Sequence, residues 1–123
     1  ILNQELMERL QFIYDSGQIG HDVYETVPTI VRKVEQKFNV ELTEENGGAF
    51  ITHLAIALQR IKDKKVIQNV PENVWVYTKK YPELHSFAKE IIFLFTNNET
   101  VNIDSEAAFI TLYFCLLTKK EVN

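Results

Sequence analysis

Apolar residues recur at intervals of three and four along almost the whole chain, and no stretch alternates apolar and polar residues as a half-buried strand does. This spacing places the apolar side chains on one face of each helix. The pattern therefore predicts an all-α fold, a compact bundle of five to six helices. The chain has 123 residues and no linker composition divides it, so we expect a single domain over residues 1–123.

Capping residues, glycines and prolines mark where the helices begin and end. Pro28 either opens the second helix as a residue of its first turn or kinks a longer helix. The predicted helices are 2–14 (ended by Ser16 and Gly17), 23–38, 44–62 (capped by Thr43), 72–80, 84–95 (ended by Asn97 and Asn98) and 105–119 (capped by Asp104).

The charge balance narrows the classes of partner. The chain carries 17 acidic and 13 basic side chains, for a net charge of −4, and we read its basic residues as isolated doublets. Nucleic-acid-binding domains concentrate Lys and Arg on one face, so direct nucleic-acid binding is not expected.

The longest apolar runs fall short of the roughly 18 residues that a membrane span needs. No secretory signal opens the sequence, and the single cysteine, Cys115, reads as a small buried residue in a reducing compartment, so we expect a cytoplasmic protein.

Motifs that would anchor most enzyme classes are missing from the sequence. It contains no glycine-rich phosphate loop, no CxxC, no HExxH and no GxSxG. We therefore expect neither a cofactor nor a metal. An apolar helical setting raises the pKa of a thiol, which argues against Cys115 as a nucleophile. His21, in a loop, and His85, at the boundary of an amphipathic helix, are expected to be mainly structural.

His53 is the most informative single residue. Helical spacing places it in a stripe with small or polar neighbours, while a parallel apolar row fills the adjacent face. Small neighbours would leave the imidazole open to a partner. The stripe is Asn46, Ala49, His53, Ala57 and Arg60, and the apolar row is Phe50, Leu54, Leu58 and Ile61. A histidine hydrogen-bonded at a packing seam is the structural alternative.

Three segments together resemble the PTS regulation domain, or PRD: FITHLAIALQRIKDKKVIQN, KKYPELHSFAKEI and IDSEAAFITLYF. The resemblance is strongest over residues 22–118. It implies a five-helix regulatory domain of bacterial antiterminators and transcriptional activators, controlled by the sugar phosphotransferase system. Such domains receive phosphoryl groups on histidines from HPr or from sugar-specific enzyme II components, and the modification shifts dimer contacts. Here the domain would be stand-alone or part of a larger regulator.

The resemblance also assigns roles to single residues. His53 matches the first phosphoacceptor histidine of the family, Arg60 the arginine seven residues later, and Asn69 an asparagine after that helix; the last two would support the phosphate. The second family histidine is replaced by Tyr113. The acidic residue that commonly precedes the first histidine is Thr52 here, unless Glu44, Glu106 or another acid substitutes in space.

Three functions follow in order of preference. The first is a phosphotransferase-linked regulatory domain, phosphorylated on His53, that forms homodimers and is not an enzyme. The second is an interaction module that keeps the fold but does not accept phosphate, which Thr52 and Tyr113 favour. The third is a small enzyme with His53 as general base, for which no companion nucleophile or cofactor motif exists.

Overall fold

The computed structural model describes residues 2–97 and 102–120, and every regular element in them is an α-helix. The all-α prediction with up to six helices is confirmed. The helices are α1 (Gln4–Asp15), α2 (His21–Phe38), α3 (Glu44–Lys62), α4 (Glu72–Lys80), α5 (Pro82–Phe93) and α6 (Asp104–Leu117).

Local sequence signals set several helix ends. The side chain of Asn3 caps α1 by accepting hydrogen bonds from two backbone N–H groups of its first turn, and Gly17, at φ 82°, turns the chain after the helix. Thr43 caps α3 as predicted, because its hydroxyl accepts a hydrogen bond from the N–H of Asn46, while the Asn46 side chain accepts one from the N–H of Thr43. This reciprocal pair closes the first turn.

Of the twelve predicted helix ends, seven differ from the structure by one or two residues: both ends of α1, α5 and α6, and the start of α2. α5 ends at Phe93 rather than position 95; Asn97 lies beyond it, and Asn98 lies outside the described residues. Asp104 is the first residue of α6 rather than its cap, and its own N–H is bound by the Asn102 side chain. Pro28 lies inside α2 rather than in its first turn, since the helix begins seven residues earlier at His21.

The chain divides into two units, one up to Gln59 and one from Arg60. In the first unit α1 packs against α2, and both contribute fully or almost fully buried aliphatic side chains. In the second unit α4, α5 and α6 pack on one another. Phe87 and Phe114 meet there with ring centroids 5.4 Å apart. Each unit thus buries its own apolar faces, which is what drives helix association in water.

The apolar row of α3 is buried as the spacing predicts. Phe50, Leu54, Leu58 and Ile61 are each at most 4% exposed. None of the described helices combines the length and apolar character that crossing a bilayer requires.

Truncating Phe114 tests this packing. Because the ring is completely buried, Phe114→Ala should lower the free energy of unfolding by about 3–5 kcal/mol in urea denaturation followed by circular dichroism. The matched control is Phe12→Ala, since Phe12 is 70% exposed and its removal should change the free energy by no more than about 0.5 kcal/mol. Equal losses in the two variants would contradict the assigned core.

Candidate functional site

His53 lies in the middle of α3 and is half-buried, with its Nε2 atom shielded from solvent. The predicted stripe around it is open at one end only. Asn46 and Ala49, toward the start of the helix, are exposed, whereas Ala57, one turn beyond His53, is completely buried. The expectation that alanines leave the ring open on both sides is therefore wrong on the C-terminal side. Along this row, solvent therefore reaches α3 at Ala49 and not at Ala57.

Arg9 of α1 reaches the helix that carries His53. Its Nε lies 3.1 Å from both carboxylate oxygens of Glu44, and its Nη2 also contacts that carboxylate. Its Nη1 donates to the hydroxyl of Thr52 over 3.0 Å. These hydrogen bonds hold the pKa of the Glu44 carboxyl below its ordinary value. Thr52, which stands where an acidic residue was expected, is thus the partner of an arginine.

Gly48 makes room for this pair on the surface of α3. A Cβ atom at this position would lie 3.0 Å from the Nη2 of Arg9 and 3.0 Å from a carboxylate oxygen of Glu44. Glycine inside a helix ordinarily costs stability. Here its missing side chain lets the guanidinium and the carboxylate lie close to the helix backbone. Sequence patterns did not single out Arg9 as part of this site. The only hints to its position were Gly48 inside a helix and Thr52 in place of an acidic residue.

Arg60, predicted to support a phosphate, is bound to a carboxylate. Its Nε and Nη2 each donate a 2.8 Å hydrogen bond to a different oxygen of Glu106, which is completely buried on α6. The backbone N–H of Ile67 donates to the same carboxylate over 3.0 Å. The hydrogen bonds to Glu106 raise the pKa of Arg60 above its ordinary value. Two parallel hydrogen bonds make this a strong ion-pair geometry.

The other two residues singled out from sequence differ in exposure. Asn69 is exposed in the segment between α3 and α4, and Tyr113 is half-buried on α6. Within the described residues, no three His, Cys, Asp or Glu side chains group closely enough to hold a metal ion.

The remaining histidines and the cysteine are in contrasting settings. His21 is largely exposed, with its Nε2 3.1 Å from Glu25 and its ring beside Tyr14. Cys115 is fully buried, and burial raises the pKa of its thiol as predicted.

The hydroxyl of Thr111 favours one tautomer of neutral His85. Its Nδ1 lies 3.3 Å from the hydroxyl of Thr111, which donates its proton to the carbonyl of Ala107 over 2.7 Å. A hydroxyl has one proton to donate, so it accepts from Nδ1–H, and Nε2 of the neutral ring keeps its lone pair. Burial, and the nearby charge of Lys89, lower the pKa of His85, with Asp104 opposing them.

The family model of the PRD domain matches residues 28–115, most of the chain. The chain belongs to the PRD family. Comparisons with curated proteins and with solved structures give no match. PRDs are regulatory rather than catalytic domains of the sugar phosphotransferase system and usually interact with its components. The match contains His53, Arg60 and Glu106, whereas Arg9 and all of α1 precede it.

Removing the Glu106 charge tests the buried pair of this PRD. Glu106→Gln leaves Arg60 without its carboxylate, so the free energy of unfolding should fall by about 3 kcal/mol, the lower end for a buried pair because Arg60 is partly exposed. Glu72→Gln is the control, since Glu72 and Lys79 form an exposed pair and its loss should cost less than about 1 kcal/mol. If both variants unfold at the same urea concentration, Glu106 has no such role.

The lowered pKa of His85 predicts a pH dependence. As the pH falls below about 6.5, the His85 imidazole takes up a proton in the unfolded state before it does so in the folded state. Wild type should therefore lose stability between about pH 7.5 and pH 5.5 more steeply than His85→Gln does. The two slopes should differ by at most about 1.4 kcal/mol per pH unit. Urea denaturation at several pH values measures both slopes, and a steeper slope for His85→Gln would refute the assignment.

Proposed function

We propose that this PRD is phosphorylated on His53 by HPr or by a sugar-specific enzyme II component, and that the modification changes its protein contacts. The observation that carries the proposal is the position of His53 within the matched family region, half-buried on α3 beside the exposed Ala49. A lone pair of the neutral imidazole attacks the phosphorus of a donor phosphohistidine. One P–N bond forms as the other breaks, and the donor imidazole leaves with the electron pair.

Electrostatics gives the modification its effect. A phosphoryl group adds up to about two negative charges to α3. One pair of unit charges at 4 Å is worth roughly 4 kcal/mol at an effective dielectric constant of 20, before desolvation. A net coupling of about 1–3 kcal/mol is enough to bias two arrangements of a dimer or a complex. Regulation of sugar-use genes through a cytoplasmic homodimer is the output we propose.

Arg60 and Asn69 belong to the proposal as residues that the family resemblance assigns to the phosphate. Their settings support them unequally. Asn69 is exposed and available. The Nε and Nη2 of Arg60 already donate hydrogen bonds to Glu106. A phosphate would have to compete with this completely buried carboxylate for the guanidinium.

The second candidate function is a PRD that associates with partners without accepting phosphate. Two observations favour it: Thr52 binds Arg9 rather than orienting an imidazole as a carboxylate would, and Tyr113 stands at the second family position. Such a module would keep its partners whether or not a phosphoryl donor is present.

Phosphoryl transfer from purified donors separates the two candidates. The protein is incubated with phosphorylated HPr and, separately, with a phosphorylated enzyme II component, and intact mass is measured at alkaline pH, where phosphohistidine survives. Wild type should gain one phosphoryl group from at least one donor, and His53→Ala none. His21→Ala, which alters an exposed histidine, is the matched control and should behave as wild type.

No gain by wild type from either donor would refute phosphorylation and leave the interaction module in its place. Equal gains by wild type and His53→Ala would place the phosphoryl group elsewhere and equally refute the assignment of His53.

A further inference from the structure

We infer that Arg9 binds the phosphoryl group of phosphorylated His53, which makes α1 part of the phosphate site; this inference rests on the phosphorylation proposed above. The resemblance to the PRD family assigned this role to Arg60. Arg60, however, is bound through two hydrogen bonds to the buried Glu106. The site therefore needs another cation, and Arg9 has the donors, the exposure and the position for it.

Arg9 retains donors that its present partners do not use. A guanidinium has five N–H groups. Nε–H and one N–H of Nη2 point to Glu44, and one N–H of Nη1 donates to Thr52. One N–H on each terminal nitrogen is left, and the Arg9 side chain is 36% exposed. Its planar fork fits phosphate oxygens.

The helix geometry brings Arg9 and the imidazole to the same level of α3. Arg9 lies along the row formed by Glu44, Gly48 and Thr52, spaced four residues apart. His53 belongs to the neighbouring row, one turn after Ala49. Helical side chains lean toward the N-terminus, so the imidazole extends over the turn that contains Ala49, beside Gly48.

Two small residues lie on this side of α3: Ala49 is exposed, and Gly48 has no side chain. A phosphoryl group on His53 that extends toward Ala49 therefore approaches the edge of the guanidinium above Gly48.

The charge at position 52 decides whether Arg9 is available. An acidic residue there, as is common in the family, would give Arg9 a second carboxylate and leave the group with a net negative charge, which would repel a phosphate. Thr52 supplies a neutral hydroxyl instead. Arg9 thus has one carboxylate partner, Glu44, and can accept a second anion. The phosphate then competes with Glu44 for Arg9, and this competition transmits the modification to α1.

Opposite effects of two variants test the inference. The equilibrium constant for phosphoryl transfer from the donor to His53 is measured by intact mass. Arg9→Gln removes the phosphate ligand and should lower this constant roughly tenfold. Glu44→Gln breaks the same ion pair but frees the cation, so it should raise the constant. A purely structural tie between α1 and α3 would make both variants lower it.

Arg32→Gln is the control for net charge, because Arg32 is exposed on α2, and it should behave as wild type. Arg9→Lys keeps the positive charge but lacks the planar guanidinium, so its equilibrium constant for phosphoryl transfer should be intermediate. This variant also replaces Arg9→Gln if circular dichroism shows that Arg9→Gln does not fold. An unchanged constant in Arg9→Gln, or equal losses in Arg9→Gln and Glu44→Gln, overturns the role of Arg9 while leaving His53 as acceptor. If wild type itself gains no phosphoryl group, both proposals fail.

Discussion

Glu106 is completely buried, and a carboxylate in that position is stable only when its charge is paired and its oxygens accept hydrogen bonds. Arg60 supplies two such bonds and the N–H of Ile67 a third. One carboxylate thus joins the last turn of α3, the segment that follows it and the first turn of α6. The position of Arg60 follows from this requirement, and so does the limit on what else Arg60 can bind.

The two arginines of this PRD are in different settings. Arg60 neutralises a buried charge and has a partly exposed side chain. Arg9 neutralises Glu44 at the surface, beside Thr52, and retains two donors. A new anion on α3 would be bound at less cost by Arg9, since its partner Glu44 is about one-third exposed whereas the partner of Arg60 is completely buried. If His53 is phosphorylated as proposed, structural support and phosphate recognition belong to separate guanidinium groups.

Much of the fold could be predicted from the sequence because it depends on local signals. Helical periodicity with capping residues gave α3 and α4 at their observed ends, and the buried row of α3 followed from spacing alone. The contact of Arg9 with Thr52 joins positions 43 residues apart, and that of Arg60 with Glu106 joins positions 46 apart. Periodicity carries no information on such pairs. Glu106 reads as an ordinary acid in the first turn of a helix, and only packing shows that it is buried.

The division of tasks between the arginines can be measured in one NMR experiment on the ¹⁵N-labelled protein. Spectra of the arginine Nε–Hε groups are recorded before and after phosphoryl transfer to His53. The Nε–Hε signal of Arg9 should shift as its partner changes from Glu44 to the phosphate, while that of Arg60 should stay in place on Glu106. A shift of the Arg60 signal with an unmoved Arg9 signal would contradict the account.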